Sequence, residues 1–191
     1  MKERGIIFNA EMVRAILDGR KTQTRRIVKN VMLDNGIWLK KPTKTRSGTT
    51  THVLDAPKHN LCPLGKIGDR LYVREAFKAG VCTESTIAYK ATHKPSNLEE
   101  GWYEEIKWTP SIHMPRWASR IKLEITDVRV ERLKDAGDTE FKAEGYPLER
   151  ELTGGSMDPF CWFRNLWDSV SPTNFKYADN PWVWVIEFKR I

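Results

Sequence analysis

Apolar positions along this chain follow two patterns, one of period two and one of period about 3.6, separated by short polar turns. Ile6-Ile7-Phe8 opens as a short strand, and Asn9 suits a helix N-cap because its side chain can accept a free first-turn N–H. Met12, Val13, Ile16 and Leu17 recur at helical spacing, and Gly19 suits the left-handed residue that ends such a helix. Lys21 to Val28 then reads as a strand, in which residues 21 and 24 point to opposite faces unless a turn or bulge intervenes. Val31 to Lys40 reads as a hairpin around Asp34-Asn35-Gly36, followed by a polar loop over 41–50.

Arg70 to Phe77 alternates, with Leu71, Val73 and Glu75 on one side and Arg70, Tyr72 and Arg74 on the other. Ser85 to Ala91 is expected as a strand and 93–106 as loop. Pro110 and Pro115 keep Trp108 to Arg120 irregular. Over Ile121 to Leu133 the parity of the apolar positions shifts at Thr126-Asp127, which predicts two strands or one strand with a bulge. Asp138 is read as the cap of a short helix to Glu144, stopped by Gly145 and Pro147. Asp158 to Val170 forms a second helix with Phe160, Phe163, Leu166 and Trp167 inward, and Val183 to Phe188 is a closing strand. Several short strands and three helices predict an α+β fold, a small closed β-barrel flanked by helices.

Composition narrows the class. The 191 residues suffice for one domain with a real core, and a net charge of +7 favours an anionic partner. No apolar run approaches the ~18 residues of a membrane span, and the first residues lack a secretory leader. The three cysteines, Cys62, Cys82 and Cys161, lie far apart without C-x-x-C spacing, so reduced thiols in a cytosol are expected. His52, His59 and Cys62 fall near one another without a fourth ligand at zinc spacing, so neither a metal nor a cofactor is expected.

The densest chemistry lies in Gly19-Arg20-Lys21-Thr22-Gln23-Thr24-Arg25-Arg26. Four cations this close repel one another and make sense around an anion such as a phosphate; a solvated basic turn is the alternative. The spelling Gly19, Lys21, Thr24, Arg26 resembles the G-x-K-x-x-[E/T]-x-R signature of ASCH domains, small barrels of the PUA-like superfamily. Gly68-Asp69-Arg70-Leu71-Tyr72-Val73, Ala143-Glu144-Gly145 and Trp184-Val185-Ile186-Glu187-Phe188-Lys189 resemble further segments of that family, in order and spacing. Thr24 stands where an acidic residue is usual in that family, and in this the chain resembles the bacterial acetylcytidine amidohydrolases, which also have threonine there. G-D-R-L-Y-V-R-E and S-I-H-M-P-R-W-A-S-R are most similar to ASCH-type proteins of phages and prophages.

The resemblance implies a single domain over residues 1–191, with insertions at about 30–60 and 145–160. It implies a cationic cleft for RNA, a nucleotide or a modified nucleoside, with Gly19, Arg20 and Arg26 at the ligand. It also offers Lys21, Thr24 and Glu144 as a catalytic set for removing an acyl group from a modified cytidine. A hydroxyl needs a neighbouring base, and a lysine serves if burial or nearby cations lower its pKa. In that reading Lys21, Arg26 and Glu144 share one site, with Thr24 about 3 Å from Lys21 or Glu144. A non-catalytic accessory or assembly role with a phage protein partner is the remaining alternative. His113 before Pro115, with Arg116 and Trp117 just after it, could set a stacking face beside donors; a structural His and a core Trp are the alternatives. Arg74 and Glu75 are read as a pair lining the pocket or a surface ion pair.

Overall fold

A computed structural model describes residues 1–80, 86–94 and 106–191. The strands are β1 (Glu3–Ile7), β2 (Gln23–Ile27), β3 (Gly36–Lys40), β4 (Thr49–His52), β5 (Arg70–Arg74), β6 (Phe77–Ala79), β7 (Ile87–Tyr89), β8 (Lys122–Arg132) and β9 (Trp182–Arg190). The helices are α1 (Ala10–Leu17), α2 (Asp138–Ala143), α3 (Leu148–Thr153) and α4 (Asp158–Val170). The fold is α+β.

One five-stranded sheet carries the molecule, in the order β1-β5-β8-β9-β2. Its β1–β5 pair is parallel and its other pairs are antiparallel. Two hairpins, β3–β4 and β6–β7, form separate two-stranded sheets. This corrects the expected closed barrel. Among the described residues no ladder joins β1 to β2, and the two edges meet through a side chain, Arg26, which donates to the Ile7 carbonyl at 3.3 Å.

β9 is buried on both faces, from Val183 to Ile186, because a core lies on each side of it. Trp184, Ile186 and Phe188 pack with Phe8, Val13, Ile16, Leu71, Val73 and Leu123. Val183 and Val185 pack on the opposite side with Phe141, Phe163 and Trp167 from α2 and α4. The parity shift at Thr126 is a bulge within one long strand, since the β8–β9 register slips between Ile125 and Asp127.

Several expectations are corrected locally. The turn at Asn35 (φ 60°) leads into β3 instead of joining two strands, and β3 pairs with β4 across residues 41–48. The N-cap of α2 is Gly137, not Asp138, because the Glu140 carboxylate reaches back to its N–H at 3.1 Å. α3 was not legible in the pattern: it buries no residue and leaves Leu148 and Leu152 exposed. Trp117 is no core residue, standing 71% exposed. Cys82, the first residue of the expected strand from Ser85 and most of the 93–106 segment lie outside the described residues. No helix among the described residues is long and apolar enough to cross a membrane.

Candidate functional site

The site grows from the end of α1. Asn9 caps this helix by accepting from Met12 N–H at 2.8 Å, and Gly19 (φ 76°) turns the chain out of it. Backbone bonds from Lys21 to Ala15 and from Thr22 to Ala143 then hold residues 21–22 between α1 and the end of α2. This turn, completed before β2 begins, buries the Lys21 side chain fully beside Glu144. Gly145 (φ 102°) makes the approach possible, since a Cβ there would lie 2.9 Å from the Ala15 Cβ and 3.2 Å from that of Lys21.

Lys21 Nζ donates to the Glu144 carboxylate at 2.7 Å and to the Glu144 carbonyl at 2.9 Å. Arg25 donates to the other Glu144 oxygen at 3.2 Å and to Glu131 at 2.7 Å. The result is a buried chain of alternating charge, Lys21–Glu144–Arg25–Glu131. Burial pushes the Lys21 ammonium below its ordinary value, Glu144 opposes that shift, and Arg26 and Arg25 add to it.

Thr24 is buried, but its hydroxyl bonds neither Lys21 nor Glu144: Oγ1 accepts from Arg26 at 2.7 Å. Strand alternation explains this, since residues 24 and 26 share one face of β2 while Arg25 takes the other. Arg26 and Lys21 flank the same ring, their cationic centres 5.5 Å and 5.6 Å from the centre of Phe8. Arg20 donates to the carbonyls of Gly145 and Tyr146 and to Asp18. The four cations are therefore not gathered around a missing anion. Three of them already hold carboxylates, and among the described residues Arg26 holds none.

Two recesses adjoin this chain of charges. The larger, about 490 Å³, lies between α1 and the α3–α4 region and includes Arg14, Arg20, Glu11, Asp18, Glu144 and Glu149 in its wall. With Arg150 its wall carries three guanidiniums against four carboxylates, so it exerts no net pull on an anion. The smaller, about 320 Å³, is bounded by Ile7, Asn9, Arg26, Ile27, Trp167 and Ser171. Its walls are mainly apolar, and among the described residues Arg26, which enters it, pairs with no carboxylate and the buried Ser171 hydroxyl has no hydrogen-bond partner.

A phenol beside the larger recess gives a direct check on this packing. Tyr146 is pushed up to about 12, by burial first and then by its hydrogen bond to, and the charge of, Asp158. Between the unfolded value of 10.0 and about 12 the unfolded chain holds fewer protons than the folded one, so this contribution to stability falls with rising pH. In an absorbance titration of phenolate, Tyr146→Phe should remove one late-titrating group, near 12, from the wild-type curve; an unchanged late part of the curve in the variant would disprove the assignment.

The remaining candidates lie elsewhere. Glu75 is buried and held by both arms of Arg120, at 2.9 and 3.0 Å, so its partner is Arg120 and not Arg74. Arg74 donates to the Ile112 carbonyl, and Arg116 pairs with Glu3 at the start of β1. His113 and Trp117 are exposed. This segment follows the β1–β5 side of the sheet and makes no hydrogen bond or ion pair to Lys21, Thr24 or Glu144. Sequence reasoning left out Arg25 and Glu131 as site residues, and Arg120 as the holder of Glu75.

No protein-family model matches the chain, and no curated protein matches it. Among solved structures, the crystal structure of an ASCH domain from Lactobacillus crispatus JV V101 is similar at a TM-score of 0.40 and 12% identity, covering 99% of this chain and 79% of that one. So loose a superposition transfers neither fold family nor function.

Proposed function

We propose that this chain is an ASCH-type protein of the PUA-like kind that holds a nucleotide, a modified nucleoside or a segment of RNA in the recess at Arg26. The order of the motifs and the net charge of +7 support the reading. One observation carries it: among the described residues no carboxylate pairs with Arg26, which stands in a recess with apolar walls beside a buried hydroxyl that has no partner there. Such a recess suits a flat base with one anionic or carbonyl edge. Arg26→Ala should weaken binding of uridine monophosphate by about tenfold, the scale of one charge-assisted hydrogen bond, and added salt should weaken the wild type. Arg26→Lys should retain part of the affinity. Equal affinity in Arg26→Ala, measured by calorimetry, would exclude the recess as the site.

The hydrolytic alternative has its own supporting feature. A cationic donor 2.7 Å from Thr24 Oγ1 favours the alkoxide, and Lys21 is held with a lowered pKa nearby. In this arrangement Lys21 is sealed from solvent and bonded to Glu144, so hydrolysis of acetylcytidine to cytidine and acetate requires that pair to open. Thr24→Val should then abolish acetate release while keeping nucleoside binding. The protein-binding alternative gains little support from the structure. Leu148 and Leu152 are exposed on α3, but two side chains fall short of a patch of several hundred Å².

A further inference from the structure

The outer face of β1 and β5 has features that the Arg26 recess does not use. Leu71 and Val73 point into the core, so Arg70, Tyr72 and Arg74 face outward. Gly5 leaves them room: a Cβ there would lie 2.8 Å from the Arg74 stem and 2.9 Å from the Tyr72 ring and hydroxyl, so both side chains lie across it. Neither Arg70 nor Arg74 has a carboxylate partner among the described residues, and the Nε of each is buried with no acceptor. The segment after Pro110 is fastened over this face at both ends, by Arg74 to the Ile112 carbonyl and by Arg116 to Glu3. Met114 and Ala118 are buried beneath it, and Ser119 Oγ donates to the Val73 carbonyl at 2.8 Å. So anchored, the segment holds Trp117 71% exposed.

We propose that this face is a second contact surface, for single-stranded nucleic acid, with Trp117 as a stacking platform and Arg70 and Arg74 as phosphate contacts. The inference rests on reading the chain as a nucleic-acid-binding protein, but on different residues. Guanidiniums that pair with no carboxylate among the described residues match a phosphodiester chain, and an exposed indole held on a fastened turn matches an unstacked base. A duplex keeps its bases stacked and offers nothing to the indole. An apolar protein partner would leave the guanidiniums unmet. The face also runs into the recess, since Ile7 stands opposite Arg74 in the β1–β5 register and its carbonyl accepts from Arg26. A strand with one base in the recess would therefore pass over Ile7 onto the face.

The test is fluorescence anisotropy with a labelled oligouridylate of about 12 nucleotides and an RNA duplex of the same length. Trp117→Ala should weaken single-strand binding about tenfold, the scale of one base stacked on an aromatic, and leave the affinity for uridine monophosphate unchanged. Because Trp117 is exposed, the variant is expected to keep the wild-type fold. Oligouridylate should quench part of the wild-type tryptophan emission, and that part should vanish in Trp117→Ala. Arg70→Ala with Arg74→Ala should flatten the salt dependence of oligouridylate binding. Three results overturn the proposal: unchanged oligouridylate affinity in Trp117→Ala, duplex binding as tight as single-strand binding, or wild-type binding of an oligoglutamate peptide without binding of oligouridylate. If Arg26→Ala leaves monophosphate binding intact while Trp117→Ala weakens the oligonucleotide, the recess reading fails and the face stands.

Discussion

Glu144→Ala is expected to cost about 3–5 kcal/mol of stability, because it leaves two buried cations without their shared carboxylate. Lys21 is fully enclosed and Arg25 nearly so, and neither can turn to water without unpacking the end of α2. Urea unfolding of the wild type and the variant measures the loss directly. A double replacement of Lys21 and Glu144 by methionine and leucine should be milder, since it removes a charge pair together, although Arg25 then relies on Glu131 alone. The pH dependence has a definite sign. With the Lys21 pKa lowered from 10.5, the unfolded chain binds more protons than the folded one between the lowered value and 10.5, so the Lys21 contribution makes stability rise with pH across that window. Lys21→Met should remove this rise. A Glu144→Ala protein as stable as the wild type would mean that the buried chain of charges does not form.

Arg120→Ala is expected to cost about 3 kcal/mol, at the low end of the range for a broken buried pair because the arginine keeps some contact with water. Glu75 is buried and, among the described residues, accepts both of its side-chain hydrogen bonds from Arg120, so the variant leaves that carboxylate without them inside. The same guanidinium lies 4.1 Å from the Tyr89 ring centre and donates to Thr92, so its loss also loosens β7. Arg120→Lys should recover little, because a lysine cannot meet both carboxylate oxygens in one plane. Arg74→Ala, by contrast, should leave Glu75 satisfied and cost under about 1 kcal/mol, the usual scale of an exposed contact. Equal losses in Arg120→Ala and Arg74→Ala would contradict the pairing.

These two ion pairs also mark where the sequence ceased to be legible. Local features were readable because their causes lie within a few residues. Asn9 and Gly19 bracket α1, the parity slip at Thr126 marks a bulge, and the stripe in α4 holds for Phe163 and Trp167. Lys21 and Glu144 came together as the motif spacing implied, but the carboxylate that Arg25 also uses, Glu131, lies 106 residues away, and no pattern near either residue announces it. Glu75 was assigned to its neighbour Arg74, although alternation along the chain sends these two side chains to opposite faces; Arg120 lies 45 residues on. The barrel failed for a related reason. Strand count and strand length are local, whereas closure depends on whether β1 and β2 form a ladder, and the strand order leaves each of them at an edge. α3 has too few buried residues to leave an apolar rhythm.

The pairing of Lys21 with Glu144 has a consequence for the order in which the chain organises itself. The two residues are 123 positions apart, and the bonds that hold residues 21 and 22 in place come partly from the end of α2. Closing so long a loop is entropically costly and slow compared with forming α1, which needs only its own turns. α1 can therefore exist early with its basic tail still in water, and Lys21 loses its solvent only once the second half of the chain has docked. A fragment ending before residue 138 would contain every residue of the 19–26 motif but not Glu144, the carboxylate that Lys21 and Arg25 share.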